Sequence, residues 1–291
     1  MSVWPRQRVI EVADDIIVFI NGSGEMGVSN ASCVIEDGKA LVVDTMTFPE
    51  MAEGMVREIA RRGAHTDLVL NTHTHIDHVG GNKAFAGAHI VSHPASVRFL
   101  QKLGHPVKLY DKLMPHFRGR FDSLEPIIPD PDIDQLRLPR GGELQTFTPA
   151  HSVADLAIWF PEARVLLAGD ISFIGVTPLA VYGLLSGWIE ALDTLLGLNP
   201  EIVVPGHGPI GGCQELRMQR DYLAVVYHMG QRAVEESLSF EDALGALDIG
   251  PAVEWIESDR TALNLERAIQ EVQGEISRQD VSTLPPSVRR R

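Results

Sequence analysis

The stretch NTHTHIDHVGGN, residues 71–82, places His73, His75, Asp77 and His78 within six positions. Imidazole and carboxylate are the usual protein ligands of zinc and related divalent metals. His73 and His75 alternate, so in extended backbone they share a face. Asp77 and His78 come just before Gly80 and Gly81, and a tight turn there can swing this second pair toward a second metal. Dinuclear sites typically hold their metals about 3.5–4 Å apart. The chain has 11 histidines, and three of them fall in this short run, which a merely polar surface loop would not concentrate.

One loop cannot fill two metal sites, so further ligands are expected at other strand ends. His151 follows LQTFTPA, Asp170 follows VLLAG, and His207 follows IVVPG. Each is read as lying just past the carboxyl end of an apolar strand, where open α/β sheets place their sites. Two cations sharing a water lower its pKa and hold hydroxide at neutral pH, while polarising a carbonyl under attack. The reaction class is hydrolysis of an ester, thioester, lactone or amide. Asp77 is the candidate catalytic residue, taking the proton of that water while it binds metal. Zinc is the first expectation for the two metals; His and Asp ligands also suit iron or manganese.

The set HxHxDH, a later His, an Asp in a GD pair and a His in PGHG resembles the motif set of the metallo-β-lactamase superfamily, over roughly residues 10–225. The resemblance implies an αββα sandwich with the site at one edge, between two sheets. It implies one metal on His73, His75 and His151, another on Asp77, His78 and His207, and Asp170 bridging them. Asp44, ending ALVVDT, matches an aspartate that orients a ligand histidine through its far ring nitrogen. Asp170 stands where exported zinc β-lactamases generally carry Cys or Ser, so the chain looks closer to glyoxalase-II-like hydrolases. Residues 173–209 and the tail around ESDRTALNLERAIQEV resemble the cyclase/thioesterase enzymes of aromatic polyketide pathways. That resemblance implies an alternative, second-ring aldol cyclisation at the same centre.

The elements that must position these residues are legible in outline. Ile16–Ile20, Ala31–Ile35, Ala40–Asp44, Asp67–Asn71 and His89–Ser92 read as strands. So do Leu136–Leu138, Glu143–Pro149, Ala157–Phe160, Val165–Ala168 and Ile202–Val204. Pro49–Arg62, Pro94–Leu103 and Gly187–Leu196 read as helices. Residues 103–131, rich in proline and without a period, read as a long loop or short helical excursion serving as a lid. Between Arg98 and Arg120, six basic residues (Arg98, Lys102, Lys108, Lys112, Arg118 and Arg120) meet only Asp111. That balance suits an anionic substrate or an acidic carrier. Tyr110, His116 and Phe117 are pocket or lid candidates. Phe173, Ile174 and Val176 are candidate walls of an apolar pocket, and Trp188 is read as packing its helix on the sheet. Leu216–Ser237, Phe240–Leu247 and Arg260–Ile276 read as helices, and PPSVRRR as a frayed end. The expected organisation is a metallo-β-lactamase domain over residues 1–212 with a helical extension over 213–291 packed on it.

The 291 residues carry 44% hydrophobic and 22% charged residues, ordinary for a globular chain, and a net charge of -14. That charge argues against general nucleic-acid binding, which needs a basic footprint. The partner expected is a small-molecule or carrier-bound acyl substrate, with no nucleic acid and no membrane; a homodimer is compatible. No secretory leader is read in MSVWPRQRVIEVADDIIVF, and Cys33 and Cys213 read as free thiols, so a cytoplasmic location is expected. A redox module would need a flavodoxin-like partner domain, for which the helical tail is too short. A nuclease would need a large β-CASP insertion, which the sequence does not show.

Overall fold

The computed structural model describes residues 7–134 and 136–290. The leader reading rests partly on residues 1–6, outside the described residues. The strands are β1 (Arg8–Ala13), β2 (Ile16–Ile20), β3 (Ala31–Glu36), β4 (Lys39–Val43), β5 (His65–Leu70), β6 (His89–Val91), β7 (Glu143–Phe147), β8 (Asp155–Phe160), β9 (Val165–Phe173) and β10 (Ile202–His207). The helices are α1 (Pro49–Arg61), α2 (Ile76–Val79), α3 (Pro94–Leu103), α4 (Val107–Leu113), α5 (Leu185–Gly197), α6 (Cys213–Glu235), α7 (Phe240–Ala246), α8 (Arg260–Val272) and α9 (Pro286–Arg290).

Two sheets form, in strand order β1-β2-β3-β4-β5-β6 and β10-β9-β8-β7. The first is an antiparallel meander through β4, continued by parallel β5 and β6. In the second, β10 runs parallel to β9, and β9, β8 and β7 are antiparallel. The period of two along each strand sorts the core into three layers. Ile16, Val18 and Ile20 face Leu156, Ile158, Val165 and Leu167 between the sheets. Their alternates Ile17 and Phe19 join Val42 and the α1 residues Met51, Met55 and Ile59 on the outer side. Leu166 and Ala168 point the other way, to Trp188 and Leu192 of α5 and to Leu223 and Leu265 of α6 and α8. Both faces of both sheets are therefore covered, as an αββα sandwich requires. The helices after residue 212 share that last layer with β9, β10 and α5.

Several expectations need correction. Leu136–Leu138 has no strand pairing, and β1 was not read at all. Residues 286–290 of the supposedly frayed end form α9. Asp170 and His207 do not follow their strands but lie within them, because β9 runs on to Phe173 and β10 to His207. Their pairing register shifts between Val204, Pro205 and His207, so irregular strand ends, rather than loops, carry these two residues.

Candidate metal centre

β5 delivers the chain into Thr72 and His73, and a one-turn α2 beginning after His75 turns Asp77 and His78 back toward the sheet edge. The turn is held by its carbonyl groups: His78 O accepts from Thr45 N at 3.0 Å, Thr45 Oγ1 at 3.1 Å and Asn71 Nδ2 at 2.9 Å. Ser29 Oγ donates to Asp77 O. Gly80 and Gly81 lie so close to the Thr47 and Thr45 carbonyls that a Cβ at either would overlap them. The His151 turn is pinned by Asp155, which accepts from Ser152 N at 2.9 Å and Ser152 Oγ at 2.8 Å. Burial pushes the Asp155 carboxyl up to about 7 against these hydrogen bonds. Leu156 N, donating to Thr72 O at 2.8 Å, ties the two ligand segments together.

Asp44 connects the histidine loop to β4. Its Oδ1 accepts from Thr72 N at 2.8 Å, and its Oδ2 lies 2.8 Å from both Thr72 Oγ1 and His78 Nδ1. This is the orienting contact expected of it: with Nδ1 engaged, His78 Nε2 is left facing the centre. Thr72 Oγ1 does the same for His73, at 3.1 Å from its Nδ1.

The seven expected residues converge in two groups, His73–His75–His151–Asp170 and Asp77–His78–His207, each with its donor atoms within 4.8 Å of one another. Asp170 stands between the groups. Its Oδ2 lies 3.8 Å from His73 Nε2, 3.3 Å from His151 Nε2 and 3.6 Å from His207 Nε2, while its Oδ1 lies 3.1 Å from His78 Nε2. His207 Nε2 is 3.2 Å from Asp77 Oδ2. Glycine at 206 is required here, because a Cβ would occupy the position of Asp170 Oδ1.

The donor set fits divalent cations. His73 Nε2, His78 Nε2 and Asp170 Oδ1 are buried without a hydrogen bond, although the last two are close enough to attract. Buried polar atoms in that state are costly unless something satisfies them. His151 Nε2 and His75 Nδ1 face each other at 3.0 Å, where only one can carry a proton. Burial holds His73 and His151 well below the usual imidazole range and lowers His75, favouring the neutral, ligating form. His78 differs: burial pushes it down, but the Asp170 and Asp44 carboxylates outweigh that and hold it well above. Burial pushes Asp77 up, yet the hydrogen bond from His207 and the charge of His78 leave it at about 2. Asp170 likewise stays ionised, burial being overcome by His78, His207 and His151.

The centre floors a cavity of about 760 Å³, open solvent included. Its walls are mainly apolar. Phe99 and Leu103 come from α3, Leu109 and Leu113 from α4, and Phe173 from β9, stacked on His207 at 5.0 Å and 8°. Residues 99–114 thus line the cavity with mainly apolar side chains; Lys102, Lys108 and Arg118 are exposed, and none of them lines it. Of the expected wall residues only Phe173 lines it, while Ile174 and Val176 pack in the core. Tyr110 lines it; Phe117 packs against Phe48, and His116 is exposed. Trp188 is a core residue, donating to Ile171 O at 2.9 Å with its ring 4.8 Å from that of His151. Sequence reasoning missed Met26, Tyr182 and Arg260, brought in by loops and by α8 across long sequence separations.

A sandwich of this topology with a His/Asp cluster at its edge is the architecture of one superfamily. The metallo-beta-lactamase superfamily profile matches residues 24–207, and the chain belongs to that superfamily. It is 28% identical over 189 residues to the 2,4-dinitroanisole O-demethylase subunit alpha of Nocardioides sp., covering 62% of this chain and 53% of that one. It is 28% identical over 166 residues to a hydroxyacylglutathione hydrolase of Synechococcus sp., covering 55% and 54%. The chain thus spans about half the length of these curated relatives. In structure it is similar to the DIM-1 metallo-beta-lactamase, with a TM-score of 0.60 and 20% identity, covering 76% of this chain and 98% of that one. Among the described residues no helix is long and apolar enough to cross a membrane.

Proposed function

We propose that the protein is a dinuclear metal hydrolase that cleaves an ester, thioester or lactone of a largely apolar acyl compound, free or held on a carrier. The observation that carries this reading is the convergence of seven ligand-type side chains, of which His75, Asp77, His151, Asp170 and His207 line an apolar cavity. His73, His75, His151 and Asp170 on one side and Asp77, His78 and His207 on the other would hold two divalent cations, zinc first and iron or manganese as alternatives, which would acidify a water and polarise the scissile carbonyl. Asp77 is placed to take the proton of that water, since it lines the cavity and stays ionised beside His207. Asp170, flanked by histidines from both groups, keeps the two halves of the centre in register. The apolar lid keeps bulk water from the reacting atoms.

The relative named for hydroxyacylglutathione hydrolysis supports the thioester part of this reading. The cavity favours an apolar acyl group over a charged tripeptide thiol, because among the described residues Arg260 is the only Lys or Arg side chain lining it and it pairs with Glu257. Aldol cyclisation finds no support in the relatives named above. The test is an assay of metal-loaded protein on p-nitrophenyl esters and acyl thioesters of increasing chain length. Specificity should rise with apolar length, and chelation should abolish turnover. Full metal loading with no turnover on any ester, thioester or lactone would refute the proposal.

A further inference from the structure

Three tyrosines are buried, and their hydroxyls fare differently. Tyr222, 4% exposed and away from the centre, is satisfied twice, by Thr261 Oγ1 at 3.0 Å and by Asn264 Nδ2 at 2.9 Å. Tyr110 and Tyr182 are 7% and 6% exposed, and among the described residues neither hydroxyl makes a hydrogen bond. Both line the cavity above His75 and Asp77. Tyr110 comes from the covering helix α4, its ring 5.3 Å from that of Phe121. Tyr182 comes from the loop before α5, its ring 4.9 Å from that of Phe99 and 6.2 Å from that of His75.

Phenylalanine would pack at both positions equally well. Both tyrosines line the cavity, and neither hydroxyl is spent on a protein partner among the described residues, so their hydrogen-bonding capacity is free for a ligand. We propose that Tyr110 and Tyr182 are specificity residues, receiving on their two hydroxyls an oxygen-bearing group of the otherwise apolar acyl substrate. This rests on the hydrolase reading for the identity of the site. A phenol hydroxyl can donate to a carbonyl, ether or hydroxyl oxygen and accept from a hydroxyl. Arg260 also lines the cavity: its Nη1 donates to Thr177 O at 2.9 Å and it pairs with Glu257, whose other oxygen accepts from Met26 N, while its Nε is buried without a hydrogen bond.

The test uses p-nitrophenyl phenylacetates carrying either a hydroxyl or the similarly sized methyl at ring position 2, 3 or 4. Leaving group and bulk are then matched, and only the hydrogen bond differs. The expected result is that wild type favours at least one hydroxy ester over its methyl partner by about tenfold or more in kcat/KM. The Tyr110→Phe/Tyr182→Phe double variant should bring that ratio close to one. Calorimetric Kd values for the matching hydroxy- and methyl-phenylacetamides give a readout independent of turnover and should show the same loss of preference. Tyr222→Phe, a control with an equal chemical change, should lower Tm and keep the preference. If every ester is hydrolysed and no hydroxyl is preferred, or if the preference survives in the double variant, the assignment is overturned. If no ester is hydrolysed, the hydrolase reading fails and the amide Kd values alone decide the tyrosine assignment, a missing preference overturning it.

Discussion

Asp44 never reaches the cavity, yet its carboxylate fixes the Thr72 backbone and the ring of His78. Groups that orient a ligand histidine in this way typically contribute 10–100-fold to metal affinity. Asp44→Asn keeps the shape and removes the charge. It should weaken metal binding by about that factor, read by competition with a chromogenic chelator; affinity within twofold of wild type would deny Asp44 the role. Asp77 is expected to act differently, as ligand and proton acceptor together. Asp77→Ala should cut kcat by ~10²–10⁴ while His73, His75 and His151 retain the other metal. Turnover within about tenfold of wild type rules out such a contribution. The thiols make a simpler check. Burial pushes Cys33 up to about 12, whereas Cys213 is partly exposed. A thiol reagent should therefore modify one cysteine in the native protein and two after denaturation.

At the scale of elements, the site depends on backbones that approach closely. Gly206 leaves room for the Asp170 carboxylate between β9 and β10. Gly206→Ala should displace that carboxylate, so metal content should fall toward one ion per chain while the fold, read by circular dichroism, is kept. Two ions in that variant would show that Asp170 can be accommodated elsewhere. Trp188 buttresses His151 from behind, and Trp188→Ala should cost ~3–5 kcal/mol, measured by denaturant unfolding. The ligands were legible in the sequence because the histidine loop is dense and each remaining ligand ends an apolar run. Their exact setting was not. Periodicity could not show that β9 continues through Asp170, since the strand is buried on both sides and so has no alternation, while Gly169-Asp170 breaks the hydrophobic run as a strand end would. Asp155 gave no signal at all, because its role is to hold a turn rather than to form a pattern.

At the scale of the whole molecule, the double coverage of both sheets explains why the fold class could be read early: strand runs such as IIVFI and VLLAG are apolar on both faces. The cavity was less accessible. Its lining comes from residues 26 to 260, and only the folded chain shows that Tyr182 and Arg260 meet the histidine loop. Of the basic run at 98–120, apolar residues such as Phe99, Leu103 and Leu109 line the cavity and none of the six cations does. Arg98, Lys102, Lys108 and Arg118 face outward on a chain of net charge -14, a placement suited to guiding an acidic carrier rather than to gripping substrate, whereas Arg120 pairs with Glu50 and Lys112 is half-buried. Replacing Lys102, Lys108 and Arg118 with glutamine should then raise KM for a carrier-bound acyl thioester at low salt and leave KM for a free ester unchanged. Equal KM values for the carrier-bound substrate would remove the guiding role. The central claim, that two metals at this centre hydrolyse an acyl substrate, is tested most directly by titrating metal-stripped protein with zinc while following hydrolysis of an apolar acyl thioester. Turnover should be absent without metal, rise with added zinc and level off at two equivalents per chain. Full activity in the metal-free protein, or none at two bound equivalents, would contradict it.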